Sequence, residues 1–149
     1  MKNLIKFSAI PVLAVAFSAP ALAAPKTYAV DPTHSFANFS YNHMGLSEQE
    51  SRFDTTRGSI VYDPVAKTAA VNVDIDTASV DTGSDPLDEH LRGNDFFDTA
   101  KYPKATYKST RVVFKGDKPV SVEGNLTIKG VTKPVTMTID YFSAKEHPM

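Results

Sequence analysis

From Lys26 onward apolar and polar residues alternate with a period of two, in short runs rich in Val, Ile, Thr, Phe and Tyr. Half-buried strands require this pattern, because successive side chains leave opposite faces of a sheet. Val71, Val73 and Ile75 alternate with Asn72, Asp74 and Asp76, so one face of that segment meets a core and the other meets water. In a second run Val120, Val122, Leu126 and Ile128 turn inward, opposite Ser121, Glu123, Asn125, Thr127 and Lys129, and Gly124 marks a bulge or bend. Beyond Lys129-Gly130 a third run sets Val135, Met137, Ile139 and Tyr141 against Thr136, Thr138 and Asp140. These two runs predict a hairpin, with Pro134 at a strand start where its missing N–H does least harm. Earlier strands are expected at about Lys26 to Asp31, Phe36 to His43, Ser51 to Tyr62 and Ala105 to Lys115. The breaks between them carry Gly45, Asp63-Pro64 and Gly116-Asp117.

Residues 84–102 depart from the alternation. Ser84 or Asp85 can cap a helix, Pro86 suits its first turn, Leu87 and Leu91 at i, i+4 form one apolar stripe, and Gly93 ends it. Phe96 and Phe97 extend that patch, which is large enough to plug or roof one end of a barrel. The expected fold is therefore all-β, an antiparallel meander closing into a barrel, with one short helical insertion. About seven strands are expected by Phe142, where about eight is the natural number for removing both sheet edges. The barrel is accordingly expected to be incomplete or to close in some other way, and an open edge favours a homodimer or aggregation.

The chain has 149 residues, the length of a single domain. Lys2 and Lys6 precede an apolar run from Phe7 to about Phe17, and Ala21-Leu22-Ala23 follows. This is the pattern of a secretory signal peptide over residues 1–23, with the mature domain spanning 24–149. The apolar run is short for a spanning helix, and the sequence contains no Cys to carry a lipid anchor. An exported product without stable membrane insertion is expected, held by its hydrophobic core because disulfides are impossible. Without the two leader lysines, 14 basic residues stand against 17 acidic ones, a formal charge of −3. No basic stripe is present to displace counterions from a phosphate backbone, so a nucleic-acid partner is not expected.

Asp81-Thr82-Gly83-Ser84 spells the motif of aspartic proteases, in which two carboxylates share a proton. One chain carries it once, so a homodimeric hydrolase with one Asp81 from each subunit is the enzymatic alternative. The other reading is a turn in which Asp accepts local backbone bonds and Ser caps the following helix. His34, His43, His90 and His147 lack the spacing that places two imidazoles on one helix turn or strand face, so no metal is expected. His34 is expected to bond within the Asp31-Pro32-Thr33 turn, and His43 shares parity with Ala37, Phe39 and Tyr41 toward a barrel mouth. Acidic residues from Asp74 to Asp98 lack the order of a calcium loop, and no G-x-S-x-G marks a serine nucleophile. Arg52, Arg57, Arg92 and Arg111 are candidates for an anionic head group.

Several blocks carry a wider resemblance: Tyr28-Ala29-Val30-Asp31-Pro32-Thr33-His34-Ser35 with Phe39, then Val80-Asp81-Thr82-Gly83, Leu87-Asp88-Glu89-His90-Leu91 and Phe96-Phe97-Asp98. Tyr102-Pro103 and Gly124-Asn125-Leu126-Thr127-Ile128-Lys129-Gly130-Val131-Thr132 follow in the same order. Together they resemble the YceI-like, polyisoprenoid-binding family. The resemblance implies a lipocalin-like antiparallel barrel, located in the periplasm, that holds an isoprenoid chain or similar amphiphile of polyprenyl or quinone type and performs no chemistry. Family members commonly run on for several dozen residues more, adding strands that complete the barrel. On this reading the lumen is lined by Phe39, Tyr41, His43, Phe53, Val73, Ile75, Leu87, Leu91, Phe96, Phe97, Tyr107, Leu126, Ile128, Val135, Met137 and Ile139. A structural or stress-related module with a filled core and no ligand is the third alternative.

Overall fold

The computed structural model describes residues 24–145. The segment read as a signal peptide and His147 lie outside the described residues. Among the described residues the strands are β1 (Lys26–Ala29), β2 (Ala37–His43), β3 (Ser47–Phe53), β4 (Thr56–Asp63), β5 (Thr68–Asp76), β6 (Val80–Asp81), β7 (Lys104–Lys115), β8 (Lys118–Ile128) and β9 (Val131–Thr138). One helix, α1 (Asp85–Arg92), follows β6, and a 3-10 turn (Thr77–Ser79) precedes it. Strands pair antiparallel throughout, as a six-stranded sheet in the order β1-β4-β5-β7-β8-β9 and a three-stranded sheet in the order β2-β3-β6. The chain is thus all-β with one short helical insertion, and among the described residues the two sheets do not join into a closed barrel.

The topology differs from a plain meander. β1 pairs with β4 rather than with β2, and β5 pairs with β7 because β6 belongs to the smaller sheet. The run expected as one strand from Ser51 to Tyr62 is two, β3 and β4, broken at Asp54-Thr55. Asp54 N–H donates to Ser79 O at 2.9 Å and Thr55 N–H to Ser79 Oγ at 3.0 Å, which anchors the crossing from one sheet to the other. Parity records the break: Ser51 and Phe53 are buried before it, Thr56 after it. β3 also starts earlier than expected, at Ser47, where Ser47, Glu48, Gln49 and Glu50 are polar on both faces and give no alternation to read.

The turns follow their residue types. Lys129 and Gly130 both have positive φ, 49° and 75°, giving the type I′ turn that suits a two-residue hairpin loop between β8 and β9. Pro134 lies inside β9, paired with Asn125, rather than at a strand start. β9 is an edge strand, where a missing N–H leaves no ladder bond unmade. The irregularity expected at Gly124 falls on the partner strand, where the register shifts between Ser109 and Arg111, opposite Gly124 and Glu123. Gly124 itself is required by close approach: a Cβ there would sit 2.6 Å from Tyr107 Cζ and 2.6 Å from the Lys108 carbonyl oxygen.

The helix begins as its sequence suggests, with Pro86 in the first turn and Gly93 at the end. Ser84 occupies the N-cap position, but its side chain makes no capping bond; the carbonyl of Ser84 accepts from Leu87 and Asp88 N–H. Phe53, Val80 and Leu91 form the buried core cluster, with Ala37, Phe39, Ile75, Leu87 and Phe97 packed around it. Ile75 belongs to the larger sheet, so this cluster is where the two sheets and the helix meet.

Candidate functional site

Cross-strand partners share a face of a sheet, so the pairing register identifies which side chains lie together. On the six-stranded sheet Val73, Tyr107 and Leu126 form one row, and Ile60 with Val71, Ile75 with Ala105, Gly124 with Val135 and Val122 with Met137 lie on the same side. Ile128 joins them, two residues beyond Leu126. The lumen candidates Val73, Ile75, Tyr107, Leu126, Ile128, Val135 and Met137 therefore occupy one face. That face is only partly covered: Ile60, Ile128 and Met137 are 38%, 39% and 38% exposed.

On the smaller sheet Phe39, Tyr41 and His43 share a face with Phe53 and Val80. Phe39, Phe53 and Phe97 form a ring cluster, with centroids 5.4 Å apart for Phe39–Phe53, 5.1 Å for Phe53–Phe97 and 6.0 Å for Phe39–Phe97. Tilted and edge-on arrangements at these distances suit the aromatic quadrupole. Leu87 and Leu91 bring the helix stripe onto this cluster. Phe96 turns away from it, exposed and edge-on to His90 at 4.8 Å. His43 lies exposed near the β2–β3 turn, and Ile139 is half-buried just past β9, its N–H bonded to Val120 O at 2.9 Å.

Tyr107 is built into the framework. Its hydroxyl donates to Val122 O at 2.9 Å, with Val135 O as a second acceptor at 3.3 Å. Burial pushes the phenol pKa up, and nearby Glu123 adds to the shift. Its ring remains on the apolar face, while its polar end is committed to β8 and β9.

The Asp81-Thr82-Gly83 motif forms a turn. Asp81 Oδ1 accepts from Gly83 N–H at 2.8 Å, and Arg52 Nη2 stands 3.6 Å from Asp81 Oδ2. Thr82 donates through both its N–H and its hydroxyl to Asp88 Oδ1, at 2.8 and 2.7 Å. Asp88 is a buried carboxylate that ties the helix to this turn, a role nothing in its sequence spacing announces. A recess of about 330 Å³ lies alongside, lined by Asn38, Glu50, Ser51, Arg52, Asp81, Thr82 and Gly83.

Three of the four arginine candidates, Arg52, Arg92 and Arg111, are engaged locally, and Arg57 lies on β4 opposite Asp74 in the register. Arg92 donates to the carbonyls of Ala78 and Val80, at 2.9 and 3.0 Å. Arg52 also pairs with Asp54 at 2.8 Å and covers the Phe36 ring, and Arg111 faces Glu123 at 3.6 Å. His34 bonds to Asp31 at 2.7 Å within the expected turn. Bonds from the Thr33 hydroxyl, from His34 and from Thr33 N–H hold the Asp31 carboxyl down at about 2. No group of His, Asp and Glu among the described residues is arranged to hold a metal ion. No helix of the described residues is long and apolar enough to cross a membrane.

Two buried hydroxyls escaped the sequence reading. Ser51 Oγ and Thr56 Oγ1 have no hydrogen-bond partner among the described residues. They flank Phe53 in sequence, and only the register shows that both point into the apolar region.

The sequence of this chain and its fold agree with a set of known proteins. It is 39% identical over 139 residues to a UPF0312 protein of Vibrio parahaemolyticus, covering 91% of this chain and 74% of that relative. A UPF0312 protein of Shewanella putrefaciens is 40% identical over 129 residues, covering 85% and 68%. Among solved structures, BcnA of Burkholderia cenocepacia superposes with a TM-score of 0.64 at 30% identity, covering 72% of this chain and 67% of that one. A polyisoprenoid binding domain from Saccharophagus degradans, implicated in plant cell wall breakdown, superposes with a TM-score of 0.59 at 27% identity, covering 72% and 63%. The YceI-like domain model matches residues 28–147, so the chain belongs to the YceI-like family.

Proposed function

We propose that this protein binds and carries an isoprenoid-type amphiphile, polyprenyl or quinone in kind, without transforming it, and that it does so in the periplasm after export. The observation that carries this reading is the apolar face of the six-stranded sheet, half-covered and continuous with the Phe53 cluster at the seam between the sheets. A chain-like ligand laid along Val73, Leu126, Ile128 and Met137 removes apolar surface from water on both sides. At about 0.8 kcal/mol per buried CH₂, a few isoprene units supply useful affinity without a specific polar contact. The polyisoprenoid-binding relative supports the ligand class. The charged network around Asp81 serves the turn on this reading, not proteolysis. A second copy pairing along the free edge of β2 would shelter the ligand further; β9 suits this less well, because Lys133 and Pro134 blunt its edge.

Ile128→Glu and Met137→Glu test the ligand face. Both positions are exposed enough for a carboxylate to stay hydrated, so the fold is expected to survive. Affinity for a dansyl-labelled farnesol probe is expected to fall by about tenfold or more, since a charge must then be buried under the tail. Unchanged affinity in both variants would remove this face from the site. Sedimentation equilibrium tests the β2 contact: a concentration-dependent dimer is expected, and a monomer at every concentration opposes it.

A further inference from the structure

We infer that the site is selective for a ligand with a hydrogen-bonding end, which is received by Ser51 and Thr56 at the seam between the two sheets. This rests on the lipid-carrier reading and assigns the polar end of the ligand within it. Ser51 and Thr56 are only 7% and 6% exposed, and neither hydroxyl has a partner among the described residues. Their direction follows from the register. Ser51 is the cross-strand partner of Phe39, and Thr56 is the partner of Ile75. Phe39 and Ile75 both pack against the Phe53, Val80 and Leu91 cluster, so the two hydroxyls lie on the faces that meet that cluster, one from each sheet. The backbone between them is fixed, because Asp54 and Thr55 are bonded to Ser79.

A buried hydroxyl without a partner is unfavourable, and a filled apolar core would be better served by Ala or Val at these positions. A hydroxyl can both donate and accept, so either one suits a carbonyl or hydroxyl carried by the ligand. The polar end then rests at the seam while the tail runs along the face of Val73, Leu126, Ile128 and Met137. A plain hydrocarbon would leave both hydroxyls unserved and is selected against for that reason.

The test compares farnesol with farnesene, an isoprenoid of the same length lacking the hydroxyl, on the full chain and on Ser51→Ala, Thr56→Val and the double variant. The parent is expected to bind farnesol at least about fivefold more tightly than farnesene, the worth of one net hydrogen bond. The double variant is expected to lose that preference while binding farnesene at least as well as the parent. Thermal unfolding supplies a second readout: neither substitution should lower the melting temperature of the ligand-free protein, because no protein hydrogen bond is removed. Equal affinities in the parent, a preference that survives in the double variant, or a lowered melting temperature would overturn the inference and leave the carrier reading standing. Failure of the parent to bind either compound would overturn both.

Discussion

Removing the Tyr107 hydroxyl separates the framework from the ligand face. Tyr107 is 4% exposed, and its O–H reaches Val122 O at 2.9 Å and Val135 O at 3.3 Å, joining β7 to both strands beyond it. Tyr107→Phe keeps the ring and its apolar contacts but leaves the Val122 carbonyl short of a donor. The lost bond and the unserved carbonyl together are expected to cost about 1–3 kcal/mol, or roughly 4–12 °C in melting temperature for a domain of this size. Gly124→Ala attacks the same contact from the other side, because its Cβ would fall 2.6 Å from Tyr107 Cζ and 2.7 Å from the hydroxyl. Overpacking of this kind is expected to cost about 1–3 kcal/mol. In a Tyr107→Val background the ring clash disappears and only the approach to Lys108 O remains, so the Gly124→Ala cost should shrink by about 1 kcal/mol. Urea unfolding followed by circular dichroism measures all four corners of that cycle. A Tyr107→Phe variant within about 0.3 kcal/mol of the parent, or an additive cycle, would refute the reasoning.

Other expectations follow from single contacts. Gly58 has φ 156°, and a Cβ there would lie 2.1 Å from Asn72 O, so Gly58→Ala should disturb the β4–β5 pairing and destabilise the fold by about 3 kcal/mol or more, measured by the same unfolding assay. Asp81→Asn removes a partly exposed pairing with Arg52 and is expected to cost less than about 1 kcal/mol while leaving prenyl-probe binding intact; an acid peptidase activity lost in this variant would contradict the turn assignment. The Asp31 carboxyl lies at about 2 in the fold against 3.8 ordinarily. Its contribution to the turn is therefore complete above 3.8 and is lost as pH falls through about 2. Carboxyl-carbon NMR should show that low midpoint, and Thr33→Val should move it upward; a parent midpoint near 3.8 would oppose the bonding described.

Alternation was legible wherever one face of a strand is apolar. Val71 to Ile75, Val120 to Ile128 and Val135 to Met137 each lie in strands with their apolar residues on the expected common face. The helix was legible from Pro86, the Leu87–Leu91 pair and Gly93. The crossing at Asp54-Thr55 was hidden because no Gly or Pro stands at it and Asp54 alone is a weak break signal, and the change of buried parity from Phe53 to Thr56 is what marks it. Pairing partners were hidden too, since nothing local tells β1 to join β4. At the candidate site, apolar positions could be collected by parity, whereas the direction of Phe96 depends on its packing against His90. Ser51 and Thr56 resemble solvent-facing positions in sequence; their burial is a property of the seam.

Mass spectrometry of an organic extract tests the carrier proposal most directly, using protein purified in folded form from the periplasm without detergent. A stoichiometric polyprenyl or quinone species, retained by the parent and lost from Ile128→Glu and Met137→Glu, is the expected result. A folded protein whose extract is empty, and which takes up no prenyl compound when one is supplied, would contradict the proposal and leave a family member whose apolar face serves packing alone.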